Sequence, residues 1–242
     1  MKKGFIVTSI LGTIIIFSAG QSAVALDLSA AGSSGYVNGA FFSRTAVQGS
    51  GTGNIDPFVR IQANGTEKGY NTDGTLEFDT KASIHTHSLL LSSAPIVTIS
   101  GTNYYEFLLD AAEPSGNSLT IDTLKFYLLS AGNISGYPAN FPASALKYNL
   151  DGAGADSILL DNLTSGNGNA DMFAYIPTSS FTGTDQYLYL YSELSQSGGS
   201  FEEWAIKTGP SSTSVPEPAT LSLLGLGLFG FLKFRKRKEV NK

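Results

Sequence analysis

Short apolar runs separated by turn-forming residues recur through the middle of the chain. Residues 123–128 alternate so that Leu124, Phe126 and Leu128 fall on one face of an extended strand. Residues 186–191 place three tyrosines on one face and two leucines on the other. Pairs such as Asn64-Gly65 and Asp73-Gly74 interrupt these runs with turn chemistry. The pattern therefore predicts strands with few helices.

Twelve such runs are candidate strands. Many short strands with turn signals between them are typical of two packed sheets. We predict an all-β protein whose residues 26–207 form a single β-sandwich domain, jelly-roll-like in its connections. The candidate strands are residues 35–44, 58–62, 76–79, 84–91, 96–99, 103–110, 119–129, 144–150, 157–161, 172–176, 186–192 and 203–206.

The tyrosine stripe of Tyr187, Tyr189 and Tyr191 allows two interpretations. Tyrosine favours strands, so the row is typical of a half-solvated outer sheet face. The alternative is a platform on which a carbohydrate stacks. We expect the first, and the second keeps a carbohydrate-binding module as an alternative function.

The N-terminus has the three parts of a secretory signal peptide. Two lysines at positions 2 and 3 precede an apolar core at 5–17, and small residues follow at Ala23 and Ala25. We expect signal peptidase to cleave between Ala25 and Leu26, which makes 1–25 a signal peptide.

The C-terminus carries a short apolar segment followed by a basic cluster. Residues 219–232 are long enough for about 21 Å of helix, and 215–234 for about 30 Å, which barely matches a hydrocarbon core of about 30 Å. The cluster is typical of a stop-transfer signal that stays in the cytoplasm. We predict a single membrane-spanning helix ended by Lys233, Arg235, Lys236, Arg237 and Lys238.

A Pro-Glu-Pro triplet, Pro216, Glu217 and Pro218, stands directly before that segment. The two prolines fix φ and remove two amide donors, so the triplet stays extended and open to an enzyme. In this order, triplet, apolar span and basic tip resemble the PEP-CTERM sorting signal of exported bacterial proteins. The resemblance covers residues 215–238 and implies an exosortase, a membrane-embedded transpeptidase-like enzyme, as the processing partner.

A second resemblance lies in the exported part. The segments at 105–114, 151–156, 163–177, 187–191 and 201–205, including Asp-Met-Phe-Ala-Tyr-Ile-Pro and Phe-Glu-Glu-Trp-Ala, are similar to a subgroup of exported PEP-CTERM proteins with unassigned function. This resemblance implies no particular activity.

The charge and cysteine content of the exported part limit the kinds of partner and site that it can have. Residues 26–214 hold 18 acidic against 7 basic side chains, a net charge of −11, because eight of the fifteen basic residues lie in the two termini. Such a domain disfavours nucleic acid and anionic lipid as partners. The chain has no cysteine, which excludes disulfides, thiolate metal sites and cysteine nucleophiles.

Candidate chemistry is sparse. His85 and His87 would share a face of a strand and could ligate a metal. Glu202 and Glu203 are adjacent, so in a strand they point to opposite faces and do not form a catalytic pair. Hard oxygen ligands on Gly-rich loops favour calcium, without the spacing of an EF-hand. The residues of this calcium hypothesis are Asp151, Asp156 and Asp161.

Together these features predict an exported protein in four parts: a signal peptide (1–25), a β-sandwich domain (26–207), a linker (208–215) and a sorting signal (216–238). The membrane holds the precursor transiently, and the mature domain reaches the outer side of the cell envelope or the extracellular matrix. We expect a non-enzymatic structural or adhesive role, with an exopolysaccharide or another surface polymer as a candidate partner and no cofactor required other than the calcium considered above.

Overall fold

The structure, a computed structural model, describes residues 25–44, 55–113, 117–152, 154, 156–161 and 170–208. Strands dominate these ranges, joined by turns and three short 3-10 segments, so the all-β prediction is confirmed. The described strands are β1 (Ala25–Asp27), β2 (Ser34–Val37), β3 (Ala40–Arg44), β4 (Ile55–Ile61), β5 (Asn64–Tyr70), β6 (Leu89–Leu90), β7 (Ile96–Ile99), β8 (Thr102–Ala111), β9 (Leu119–Leu129), β10 (Leu146–Asn149), β11 (Ser157–Leu160), β12 (Met172–Pro177), β13 (Tyr187–Gly198) and β14 (Glu202–Lys207).

The strands form two sheets of seven. Sheet 1 has the order β1-β11-β9-β13-β5, with β10 also paired to β9 and β6 to β13. Sheet 2 has the order β2-β3-β12-β8-β14-β4, with β7 also paired to β8. The described pairs are antiparallel except for β1 with β11, which run parallel. Neighbours in each sheet are mostly distant in sequence, so the fold depends on long-range pairing.

The two sheets stack around one core, as expected of a β-sandwich. The rings of Phe107 on β8 and Phe126 on β9 meet across the gap with their centroids 4.8 Å apart. Trp204 on β14 donates its indole N–H to the Ser192 hydroxyl on β13, at 3.1 Å. Because both sheets send alternate side chains into this gap, burial of apolar surface holds them together without disulfides.

Several predicted strands are confirmed. β7 and β9 have the predicted bounds, and Leu124, Phe126 and Leu128 all lie in the core between the sheets. β13 also alternates as predicted, with Leu188 and Leu190 in the core. β13 continues to Gly198, six residues beyond the predicted end, because Ser192 and the residues after it keep pairing with β5 and β9.

Two strand predictions are wrong in part and one is wrong completely. The run at 35–44 is a hairpin, β2 and β3, because Asn38 and Gly39 adopt positive φ of 49° and 84° and turn the chain. Residues 76–79 form no strand. Of 84–91 only β6 is a strand, and Ile84 lies 85% exposed in the preceding turn.

Strand β5 was not predicted, because it lacks apolar alternation. Its sequence, Asn-Gly-Thr-Glu-Lys-Gly-Tyr, places Glu67 opposite Leu194 and Gly69 opposite Ser192 of β13. These two positions face the gap between the sheets, where an apolar residue is usual. The hydrogen bonds to β13, and not the hydrophobic pattern, define this strand.

No helix in the described ranges is long and apolar enough to cross a membrane. The predicted span at 219–232 lies outside those ranges, as do the residues of the signal peptide core.

Candidate functional site

The tyrosine stripe lies on the outer face of sheet 1, as its alternation predicts. It is covered there by residues 130–145, the connection between β9 and β10. We call the result the outer aromatic cluster: Tyr70, Tyr127, Tyr137, Phe141, Tyr187, Tyr189 and Tyr191. Tyr137 of the connection stacks on Tyr191 with ring centroids 4.2 Å apart, and Phe141 meets the Tyr189 ring edge-on at 5.3 Å.

Hydrogen bonds hold this cover in place. The Tyr189 hydroxyl donates to the Ala131 carbonyl at 2.7 Å and accepts the Ile134 N–H at 2.9 Å. The Thr72 hydroxyl donates to the Ile134 carbonyl at 2.8 Å. The connection is therefore bound at consecutive points along its length.

Glu77 fastens the centre of the cover. Its Oε2 accepts the N–H groups of Gly136 at 3.1 Å and Tyr137 at 3.0 Å, and also the Tyr70 hydroxyl. The hydrogen bond from Tyr70 and those from the two amides hold the pKa of Glu77 below its usual value. An ionised Glu77 thus links β5, the 71–80 loop and the 130–145 connection.

Asn71 extends sheet 1 past the end of β5. Its side-chain amide donates to the Leu188 carbonyl at 2.8 Å and accepts the Leu190 N–H at 2.7 Å. A fully buried side chain thus takes the place of a strand backbone beside β13.

The prediction of a half-solvated tyrosine face is wrong for Tyr189, which is 0% exposed, and for Tyr191, which is 6% exposed. The residues that cover them follow β9 in sequence and carry few periodic signals, so the alternation of β13 alone could not indicate them. The sugar-stacking alternative needs open ring faces, and these two rings are packed against neighbours.

The three aspartates of the calcium hypothesis do not meet at one point. Asp151 and Asp156 lie close enough to interact, and burial, with repulsion from Asp156, Asp122 and Glu193, raises the pKa of Asp151 against the opposing effect of Lys125. Asp156 and Asp161 flank the two ends of β11, about 16 Å apart along an extended chain. One ion therefore cannot have both as ligands, and calcium at Asp151 and Asp156 stays a prediction.

Asp161 has a structural setting instead. Its side chain accepts the Ser118 hydroxyl at 2.7 Å, and its carbonyl accepts a hydrogen bond from the Arg44 guanidinium. The same guanidinium also donates to the Leu28 carbonyl at 3.1 Å and the Ser29 carbonyl at 3.0 Å. Arg44 thus connects β3 of sheet 2 with the residues that follow β1 and β11 of sheet 1.

The histidines do not share a strand face, since 84–88 form no strand. His87 places its Nε2 3.7 Å from an Asp56 carboxylate oxygen, and the His85 N–H donates to the Ser83 hydroxyl at 3.0 Å. Among the residues that the structure describes, no three His, Asp or Glu side chains are arranged to hold a metal ion.

Glu202 and Glu203 do point to opposite faces of sheet 2, as their adjacency predicts. Glu203 pairs with Arg60 on the outer face, while Glu202 points between the sheets. Their adjacency does not indicate what surrounds Glu202. Two other buried glutamates, 89 and 135 residues away in sequence, lie beside it, and no local signal indicates them.

The predicted signal cleavage site lies at the beginning of the described structure. Ala25 and Leu26 belong to β1, where Leu26 pairs with Ile158, and Ala23 lies outside the described residues. The Pro216–Glu217–Pro218 triplet lies outside them as well, as does the basic cluster Lys233, Arg235, Lys236, Arg237 and Lys238.

Comparison with known proteins gives one finding, and it concerns the tail. Neither the curated proteins nor the solved structures yield a match to the chain. The family model of the PEP-CTERM protein-sorting motif matches residues 214–238, which include the triplet, the apolar segment and the basic cluster. Such a motif implies an exported, membrane-anchored precursor sorted by an exosortase. The chain thus carries the PEP-CTERM sorting motif at residues 214–238, as the order of its tail predicts.

Proposed function

We propose that residues 26–207 form a non-enzymatic structural or adhesive domain, delivered to the outer side of the cell envelope or to the extracellular matrix. In this proposal the domain is a jelly-roll-like β-sandwich, released from its signal peptide after Ala25 and from its membrane helix by an exosortase. The observation that carries the proposal is the sorting motif at 214–238.

The physical character of the tail supports transient anchoring. The apolar span is barely long enough for a bilayer, and the basic cluster stops translocation on the cytoplasmic side. Proline fixes φ and lacks an amide donor, so the prolines at 216 and 218 favour an extended peptide, the form that a protease-like enzyme needs. The precursor is held long enough to be processed.

The position of β1 supports cleavage after Ala25. Cleavage there leaves Leu26 as the first residue, with its pairing to Ile158 intact. Leu28, two residues later, is fully buried and donates its N–H to the Leu159 carbonyl at 2.9 Å. Among the described residues, this cleavage removes only Ala25, which is exposed, together with its pairing to Ser157.

The burial of apolar side chains on sheet 1 supports a structural role. Sheet 1 packs against sheet 2 on one face, and the 130–145 connection covers the tyrosines on its other face. Stability without disulfides follows from this double packing. The acidic charge of the exported part favours solubility and cationic surfaces over nucleic acid.

The mass of the mature protein tests the sorting proposal. In the native host we expect a species that lacks the apolar segment and the basic cluster, and in exosortase-deleted cells a species that keeps both. A C-terminus that still includes residues 221–242 in both strains would contradict the proposal. Replacement of Pro216 and Pro218 by alanine should block processing, while Pro210→Ala in the linker should leave it unchanged.

Loss of the gene tests the role. We expect weakened attachment or matrix cohesion, restored by the full chain and not by a chain without residues 214–242. Normal attachment in the deletion strain would argue against a structural or adhesive role.

The carbohydrate-binding alternative is not supported by the tyrosine stripe, because Tyr189 and Tyr191 are packed against other side chains. Affinity electrophoresis on polysaccharide gels tests other surfaces: retardation on an exopolysaccharide would favour this alternative, with the polymer as partner, and free migration on each polymer would exclude it.

A further inference from the structure

Three glutamates from both sheets face the gap at one end of the sandwich. Glu202 lies two residues before Trp204 on β14, Glu113 lies two residues after Ala111 of β8, and Glu67 belongs to β5. Alternation along each strand directs all three inward, and each is 0% exposed. We call them the buried glutamate triad.

The three carboxyl groups differ in the donors that they meet. Glu113 accepts the Gly198 N–H at 2.8 Å and the Asn117 side-chain amide at 3.4 Å. Glu67 accepts the Ala63 N–H at 2.7 Å through Oε2. Within the described part of the chain, Oε1 of Glu67 and both oxygens of Glu202 have no hydrogen-bond donor. Glu202 interacts with both of the other carboxyl groups.

Charged groups on the strands around the triad point elsewhere. On the outer face of sheet 2, Arg60 pairs with Glu203 and Lys207 with Glu106; on the outer face of sheet 1, Lys68 lies over the Phe78 ring. Among the described residues, the remaining charged side chains of these strands do not face the triad either: Asp110 on β8 and Glu193 on β13 lie on outer faces, and Asp56 on β4 lies near the His87 ring. No cationic side chain of these strands compensates the triad.

Three adjacent carboxylates cannot all be ionised in such a place. Removing one carboxylate from water costs several kcal/mol, and neighbouring like charges add to the cost. A proton removes one charge and turns an acceptor into a donor. It belongs on Glu202, because the other two carboxylates are stabilised by N–H donors and Glu202 is not.

We propose that Glu202 is a carboxylic acid in the folded protein at neutral pH, and that its O–H donates to Glu67 and locks the two sheets together at this end of the sandwich. Burial, followed by contact with Glu67 and Glu113, raises the pKa of Glu202 to about 12, and burial also raises the pKa of Glu67. The lock is a proton-dependent device, distinct from the sorting of the protein.

The sign of the pH dependence follows from the raised pKa. The unfolded chain loses this proton near the ordinary glutamate pKa of 4.5, whereas the folded protein keeps it to about 12. The stability from the lock is complete below pH 4.5 and falls through the window between these values. For each proton that the folded protein retains and the unfolded chain has lost, the folding equilibrium constant falls about tenfold as the pH rises by one unit.

Glu202→Gln tests the proposal, because an amide keeps the shape and the donor without a titrating proton. The experiment uses the purified full chain in detergent and measures the folding equilibrium constant of wild type and of Glu202→Gln. The ratio of the wild-type constant to the variant constant should fall about tenfold for each unit of rising pH, from about pH 5 to pH 9. The matched control, Glu203→Gln, removes an outer-face carboxylate and should keep the wild-type slope. Equal slopes for wild type and Glu202→Gln would overturn the proposal.

Infrared spectroscopy of the wild-type chain tests the proton directly and does not require a folded variant. At neutral pH we expect the carbonyl band of a protonated carboxylic acid, which disappears on alkaline titration. Absence of this band would overturn the proposal. Stabilisation of wild type, but not of Glu202→Gln, by Ca²⁺ or Mg²⁺ would also overturn it, since an ion would then replace the proton.

Discussion

Removal of the Tyr189 hydroxyl is the most direct test of how the outer aromatic cluster is covered. Tyr189→Phe keeps the ring and its edge-on contact with Phe141, and deletes two hydrogen bonds, to Ala131 and from Ile134. A typical hydrogen bond contributes about 0.5–1.5 kcal/mol net, so we expect a loss of about 2 kcal/mol in the free energy of unfolding. For a chain of this size that corresponds to a fall in Tm of about 4–8 °C.

The assay is urea denaturation followed by the fluorescence of Trp204, the single tryptophan of the chain. Tyr36→Phe is the matched control, because Tyr36 is 54% exposed, and we expect its stability within about 0.5 kcal/mol of wild type. Hydrogen exchange adds a local readout: the Ile134 amide should lose protection in Tyr189→Phe. Wild-type stability together with wild-type protection at Ile134 would refute the reasoning.

Three further predictions concern other parts of the structure. Glu77→Gln should lower the free energy of unfolding at neutral pH. Because the pKa of Glu77 lies below its usual 4.5, the difference in stability from wild type should vanish as the pH falls through that lowered value. A difference in urea midpoints that stays constant with pH would contradict this prediction. Gly69→Ala should lower the free energy of unfolding by about 1–3 kcal/mol, since its Cβ would lie 2.3 Å from the Thr80 hydroxyl oxygen. A melting temperature equal to that of wild type would show that the neighbouring residues shift to accommodate the methyl group. If Asp151 and Asp156 bind calcium, the melting temperature in calcium should be higher than the melting temperature in EDTA, and this difference should disappear in Asp151→Asn. Equal melting temperatures for wild type in the two solutions would exclude the hypothesis.

Strands with apolar alternation could be predicted from the sequence, and strands without it could not. β9 carries leucine and phenylalanine on one face, and its bounds agree with the structure. β5 carries Glu67 and Gly69 where apolar residues are usual, so its pairing with β13 appears only in the folded chain. The run around Ile84 has apolar and polar residues in alternation, yet the chain turns there and exposes the side chain.

The candidate sites divide in the same way. The sorting motif is contiguous, so its order of triplet, span and basic cluster can be recognised without a fold. The calcium hypothesis depended on residues near in sequence, and β11 separates two of them because a strand extends the chain. The surroundings of Glu202 could not be predicted because its neighbours Glu67 and Glu113 are distant in sequence.

The sequence by itself determined the features that depend on neighbouring residues: the sorting motif in the tail, the secretory signal pattern at the start, and the alternation that makes the exported part a β protein. The tertiary structure decided which faces are buried and which charges meet. Packing two sheets brings distant positions together and excludes water, and exclusion of water gives a carboxyl group or a tyrosine hydroxyl its energetic weight. The covered tyrosines and the buried glutamate triad both arise from that step.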